Sequence, residues 1–294
     1  MPELPEVETI VMGLKKKVLG RTFLDAWTDF KKTIKRPKDF KAFQKELKGK
    51  KIEEIRRRGK NIIFNLSSGY SLLIHQKLTG HLLFGKWSFK NKKWEPKTRG
   101  PLTDRANKYI HLMFFLDKGQ MLALSDVRKF AKVELWKKED LDSSIDMEEL
   151  GPEPLEKDFV FNRFEKIIKR RKGKIKQVLM DQKVIAGIGN IYSDEILWRA
   201  KVSPFQSASS LKQQELHRIY SEMKDVLSKA IELEGESFSD FRTLSGEKGR
   251  FDLLRKVYQR EGEKCSRCGQ LIKRAKLGSR SAHFCPKCQP LKAI

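Results

Sequence analysis

Residues 265–288 read Cys265-Ser-Arg-Cys268-Gly-Gln-Leu-Ile-Lys-Arg-Ala-Lys-Leu-Gly-Ser-Arg-Ser-Ala-His-Phe-Cys285-Pro-Lys-Cys288. All 4 cysteines of the chain lie in this stretch, as two Cys-x2-Cys pairs separated by 16 residues. Two such pairs let four thiolates converge tetrahedrally on one ion, with a hairpin between the knuckles. The expected cofactor is therefore one structural Zn2+ held by Cys265, Cys268, Cys285 and Cys288. Four thiolates leave no open coordination position, so the metal is not expected to be catalytic. The alternative, four unrelated free thiols, has little room when every cysteine falls in this pattern. Arg274, Lys276, Arg280 and His283 lie between the pairs, so the hairpin should present positive charge suited to phosphate.

The 294 residues suggest two domains. With 63 Lys and Arg against 38 Asp and Glu, the net charge is +25. Such a surface attracts polyanions, nucleic acid first and an anionic membrane surface second. No apolar run reaches the roughly 20 residues needed to span a bilayer, and the N-terminus lacks the layout of a secretion signal. A soluble cytoplasmic protein is expected, and collagen-like, transmembrane and disordered classes are excluded. Residues 162–176 carry eight basic residues and one Glu, a +7 patch.

Val7, Ile10, Val11, Leu14 and Val18 fall at helical spacing before Gly20. From about 50 to 136 the period changes to short apolar runs such as Asn61–Leu66, Tyr70–His75, Tyr109–Leu116 and Met121–Ser125, separated by turn signals. These argue for an antiparallel sandwich or barrel, with Lys86–Lys108 as a long exposed loop. The strand pattern ends near Leu150-Gly-Pro-Glu-Pro154. Helices follow, the clearest carrying Leu216, Ile219, Met223, Val226 and Leu227 on one face, with Ser210 and Gln213 spaced as a capping box.

Three features remain: Met1-Pro-Glu-Leu-Pro-Glu-Val-Glu-Thr9, Gly187-Ile-Gly-Asn190 and the four-cysteine ending. Each has a plainer reading alone. Acids near a helix start complement its dipole, Gly-x-Gly-Asn is an ordinary turn, and single lysines are usually solvated. Together, and with Asp126–Phe130 (DVRKF), Leu150–Leu155 (LGPEPL) and Val184–Glu195, they resemble the bacterial formamidopyrimidine-DNA glycosylases over essentially the whole chain.

The resemblance implies an α+β fold: an N-terminal helix with an antiparallel β-sandwich (1–138), a linker (139–155), a helical helix–two-turn–helix domain (156–260) and a zinc-finger hairpin (261–294), with DNA in the cleft. It implies a bacterial, nucleoid-associated monomer acting on double-stranded DNA containing oxidised purines, with no catalytic cofactor and no membrane partner. Met1 is removed, and the Pro2 amine attacks the sugar. An α-amino group has a pKa near 8 and is about a tenth neutral at pH 7, whereas a lysine is only about 0.04% neutral. Glu3 matches the acid/base, and Glu6 matches a second acid or a support for backbone amides. Lys60 and Arg280 match catalytic-site cations.

Gly187, Gly189 and Asn190 match a phosphate-binding turn, and Lys172 a DNA-contacting lysine. Arg128, Phe130 and Leu78 match residues that fill the gap left by an extruded nucleotide. Strand alternation would point Arg128 and Phe130 to the same side. Ser237, Asp240 and Phe241 match part of a loop covering the extruded base.

Three departures from the family pattern stand out. His75-Gln-Lys-Leu-Thr-Gly80 has Lys77 in place of a glycine and Leu78 in place of a methionine. The 86–108 segment is long and ends in Asn107-Lys-Tyr-Ile-His111, which puts a histidine–phosphate contact in doubt. Glu236 replaces a hydroxyl residue. The alternatives are an endonuclease VIII-like glycosylase for oxidised pyrimidines, and a non-catalytic damaged-DNA-binding protein.

Overall fold

The computed structural model describes residues 1–237 and 240–291, so the last three residues of the zinc segment lie outside it. The chain divides into two units: 1–148 with 233–252, and 149–232 with 253 onward. Residues 233–252 thus group with the first unit rather than with the helices that precede them.

In the first unit, α1 (Leu4–Lys17) begins after a proline-rich start, with Pro5 in the first turn, where a missing N–H costs nothing. Its apolar stripe (Val7, Ile10, Val11, Leu14) is buried. One sheet has the order β1-β9-β10-β6 and the other β2-β11-β5-β4-β3. The strands are β1 Phe23–Thr28, β2 Ile34–Arg36, β3 Ile52–Arg58, β4 Asn61–Leu66, β5 Tyr70–His75, β6 His81–Gly85, β9 Ile110–Leu116, β10 Met121–Ser125 and β11 Lys132–Lys137. Leu82, Leu112, Phe114, Leu122 and Leu124 from the first sheet share one core with Ile62, Phe64, Leu72, Ile74 and Val133 from the second. Helix α1 closes that core, and α2 (Phe40–Leu47) contributes Phe43 and Leu47.

The 86–108 segment is not an open loop. Residues Trp87–Lys90 (β7) and Lys93–Pro96 (β8) pair as a hairpin, followed by short helical turns at Pro101–Thr103 and Arg105–Lys108. Trp87 is buried with Leu83, Met113, Met121 and Ala123 in a second apolar cluster, flanked by Trp27, Trp94, Leu102 and Phe115. These sheet residues alternate with those facing the main core, so the first sheet is apolar on both faces and its strands read as continuous apolar runs. The segment's many lysines mask the aromatics that pair and bury across its turn.

In the second unit, α5 (Phe161–Lys169), α6 (Ile175–Met180), α7 (Asn190–Ala200) and α8 (Gln213–Glu232) form the helical part, after the short α3 (Lys138–Asp142) and α4 (Ile145–Glu148) that end the first unit's long segment. The start of α8 differs from the Ser210/Gln213 reading: Glu215 reaches back to the Lys212 N–H at 2.9 Å, and Ser210 instead donates to Ser207 O. The acid three residues beyond the true cap, not the serine, marks the start. The chain ends in the hairpin β12 (Lys273–Leu277) and β13 (Arg280–Phe284), whose turn carries Gly278 and Ser279.

Candidate active site and nucleic-acid interface

The start of α1 gathers carboxylates that the chain then buries. Glu3 is the N-cap and Glu6 the third helical residue, and the two form a reciprocal capping box, with the Glu3 N–H donating to Glu6 Oε2 at 2.7 Å. The second Glu6 oxygen accepts the Glu236 N–H at 2.8 Å. With both oxygens held by backbone amides, Glu6 ties the chain start to the 235–237 segment. The fit is close. A Cβ on Gly235, whose φ is +82°, would stand 2.8 Å from Glu6 Oε1. Pro2, Glu3 and Glu6 are buried, and so is Glu236.

Lys60 completes this cluster. It follows Gly59 in the β3–β4 turn and is only 6% exposed. Arg57 sets that turn: its Nε donates to Glu8 on α1 at 2.7 Å and its Nη1 to Gly59 O at 3.1 Å. Burial lowers the pKa of the Met1 amino group; Glu3 and Glu6 oppose this, Lys60 adds to it and Asp240 opposes it. The chain's terminal amine thus shares one electrostatic environment with Glu3, Glu6, Lys60 and Asp240. His75, at the end of β5, has its pKa pushed down to about 3 by burial, with Lys77, Lys60 and Lys132 acting the same way. It stays neutral and accepts the Lys77 N–H at Nδ1, 2.9 Å away.

Leu78 lies half-buried in the 76–80 turn. Lys77 adopts φ +55°, the left-handed region a glycine enters freely, so this turn keeps a glycine-like backbone without a glycine. Arg128 and Phe130 are not in a strand. They occupy the turn between β10 and β11. Yet the two side chains meet there, the Arg128 guanidinium lying 4.9 Å from the Phe130 ring centroid, with Phe130 50% exposed. Buried Asp126 holds both turns: it accepts the Thr79 hydroxyl and the Arg128 N–H at Oδ1, and the Ala131 N–H at Oδ2. His111 is paired with Asp29 at 2.9 Å.

In the second unit, Gly189 caps α7 and Asn190 is its first residue. Gln182 shapes the approach, accepting the Gly187 N–H at 2.9 Å and donating to Met180 O and Ile188 O. Asn190 Oδ1 is buried with no hydrogen-bond partner among the described residues, which suits a group reserved for an incoming donor or water. Lys172 sits in the exposed α5–α6 connection. Lys176, counted in the basic patch, is not on the surface: it is 0% exposed and donates to Asp194 at 2.6 Å and to Ser281 O at 2.8 Å. Asp194 also accepts the His283 backbone N–H and sits 3.0 Å from His283 Nδ1. Glu195 accepts the N–H groups of Lys256, Val257 and Tyr258. These two acids lie past the first turn of α7: Asp194 docks the zinc hairpin through His283, and Glu195 holds residues 256–258, which lead into it. Arg280 opens β13 on that hairpin and is exposed.

The sulfurs of Cys265, Cys268, Cys285 and Cys288 all lie within 4.8 Å of one another. A tetrahedral Zn–S shell of about 2.3 Å requires sulfurs about 3.8 Å apart, so the donor set fits a zinc ion. Arg57, Asp194 and Glu195 leave no sequence signal because their side-chain partners lie far along the chain, and Gln182 leaves none because it acts on backbone groups of its own turn.

No described helix is long and apolar enough to cross a membrane. Three family models match: the formamidopyrimidine-DNA glycosylase N-terminal domain over residues 1–133, the H2TH domain of that glycosylase over 150–242, and the zinc finger found in FPG and IleRS over 262–291. The formamidopyrimidine-DNA glycosylase of Pelotomaculum thermopropionicum is 37% identical, with 99% of this chain and 100% of that protein covered. That of Streptococcus pneumoniae is 37% identical over 98% and 99%. Among solved structures, a Lactococcus lactis FPG mutant complexed with Fapy-dG containing DNA superposes with a TM-score of 0.85 at 33% identity, covering 98% of this chain and 100% of that one. MutM in complex with carbocyclic 8-oxo-G containing DNA gives 0.84 at 34% identity, with 98% and 100% covered. Matched along its whole length, and with the four-cysteine cluster in place, the chain belongs to the formamidopyrimidine-DNA glycosylase family, enzymes of DNA repair.

Proposed function

We propose that the protein excises oxidised purines, 8-oxoguanine and formamidopyrimidines, from duplex DNA and then cuts the strand at the resulting site. The observation that carries this reading is the buried chain start, where Pro2 and Glu3 lie beside the Glu6 tether, Lys60 and Asp240. Removal of Met1 exposes the Pro2 secondary amine, and the burial that lowers the Met1 amine favours a neutral nucleophile there. The amine attacks C1′, the C1′–N bond to the base breaks, and the base leaves with a proton. Glu3 protonates the ring oxygen as the sugar opens to an iminium. It then takes part in removal of the C2′ proton. Elimination expels the 3′ phosphate, and a second elimination the 5′ phosphate. Every step is nucleophilic or acid–base, so no catalytic cofactor is called for.

Extrusion of the nucleotide costs a few kcal/mol of stacking. Arg128 and Phe130, with Leu78, fill the gap, and Ser237 and Asp240 belong to the loop over the base. Asn190 with the Gly187–Gly189 turn, Lys172 and Arg280 hold phosphates, and the four cysteines hold zinc, which keeps the hairpin folded. The enzyme works as a monomer on chromosomal DNA in the bacterial cytoplasm.

The test is single-turnover cleavage of duplexes carrying 8-oxoguanine opposite cytosine or an oxidised pyrimidine. Faster cutting at the purine, leaving phosphates on both ends of the gap, is expected. Preference for the pyrimidine would overturn the substrate, and tight binding with no cutting would overturn the enzyme.

A further inference from the structure

The end of the long 86–108 segment is hydrogen-bonded to two separate pieces of the first unit. On one side, Ala106 O accepts the Ser125 hydroxyl at 3.0 Å and Tyr109 O accepts the Asp126 N–H at 2.8 Å. Asp126 is the residue that holds the turn carrying Arg128 and Phe130. On the other side, Asp104 accepts two contacts from Arg242 Nη2, at 3.1 and 3.3 Å, and Asn107 Nδ2 donates to Gly246 O at 3.3 Å. Arg242 and Gly246 belong to the segment that follows Asp240 and Phe241. That segment is anchored further by the Phe84 N–H, which donates to Leu244 O at 2.9 Å.

Asn107 is the centre of this arrangement and is 1% exposed. Its Nδ2 donates to two carbonyls, Pro101 O at 2.9 Å and Gly246 O, which fixes the orientation of the amide. Its Oδ1 therefore meets His81 Nε2 at 2.9 Å, and that nitrogen carries the ring proton. His81, 1% exposed, opens β6 two residues after Thr79, whose hydroxyl donates to Asp126. The approach to Gly246 is close. A Cβ there would stand 2.8 Å from Asn107 Nδ2 and 2.9 Å from the Pro101 carbonyl carbon, at a φ of +89°.

We propose that residues 101–109 brace the Arg128–Phe130 turn against the 241–246 segment, with Asn107 as the positioning residue. The side chains that fill the gap in the helix and the loop that covers the extruded base are then set by one element. This rests on the roles given above to Arg128, Phe130 and the loop. Because an abasic nucleotide has no base to cover, loosening the brace should slow base excision and spare strand cutting at a ready-made abasic site.

Asn107→Leu is expected to slow excision of 8-oxoguanine about tenfold while leaving cutting of an abasic duplex within twofold. Its effect should shrink to under threefold when Arg128→Ala is already present, since the two act through one turn. Independent sites would combine multiplicatively to within about twofold. Should Asn107→Leu not fold, the half-exposed Asp104→Ala carries the same comparison, with about a threefold selective loss expected. Equal slowing of both reactions, or full multiplicativity with Arg128→Ala, overturns the proposal. Excision absent in the unaltered protein would overturn the functional reading, and this inference with it. Excision present, with no selective loss in either variant, overturns this inference alone.

Discussion

Glu6 spends both carboxylate oxygens on backbone N–H groups, one at the chain start and one at Glu236. Glu6→Ala removes the carboxylate that two buried N–H donors share, at about 1–3 kcal/mol each. A loss of at least about 2 kcal/mol in urea denaturation is expected, with loss of cleavage. His75 makes a second prediction. Its pKa is about 3 in the folded protein against an ordinary value near 6.5. The unfolded chain therefore binds the extra proton first as pH falls. The stability associated with the neutral ring is complete above about pH 6.5 and is lost progressively toward pH 3. His75→Gln should show a flatter fall in stability over that window than the unaltered protein, and parallel curves would contradict the burial argument. Burial lowers the pKa of the Met1 amine, and the same burial should act on the Pro2 amine that replaces it, whose ordinary value is near 8. The rising limb of the pH–rate profile should level off below pH 8.

At the level of elements, the sequence pattern located β4, β5 and β10 residue for residue, because each is a short apolar run, buried along nearly its whole length and bounded by turn signals. It failed at β7 and β8, whose charged residues hide an aromatic seam formed by Trp27, Phe89 and Trp94. It also placed Arg128 and Phe130 in a strand, whereas Asp126 caps that strand and turns the chain. Lys176 was legible only as charge. Its pairing with Asp194, a contact 18 residues along, depends on how α6 meets α7. Removing one partner of such a buried pair costs about 3–5 kcal/mol. Lys176→Met should therefore destabilise the second unit by about that much and loosen the zinc hairpin, seen as faster release of zinc to a chelator. Unchanged zinc retention would show that the hairpin does not depend on this pair.

For the whole molecule, the net charge of +25 and the cations presented by the basic patch and Arg280 imply a strongly salt-dependent complex. If about six phosphates are neutralised, log K against log salt should fall with a slope near −5, and a slope near zero would exclude a phosphate-gripping surface. The architecture could be read from three motifs far apart in sequence, since chain start, glycine turn and cysteine pairs carry local chemistry. The buried links to Glu236 and Asn107 could not, because they join residues more than a hundred positions apart that share no pattern. Pro2 is the proposed nucleophile. Borohydride trapping on an 8-oxoguanine:cytosine duplex, with mass spectrometry of the adduct, tests it most directly. A covalent DNA adduct on an N-terminal Pro2 is the expected result. An adduct on any lysine, Lys60 included, or no adduct despite tight salt-dependent binding, would contradict it.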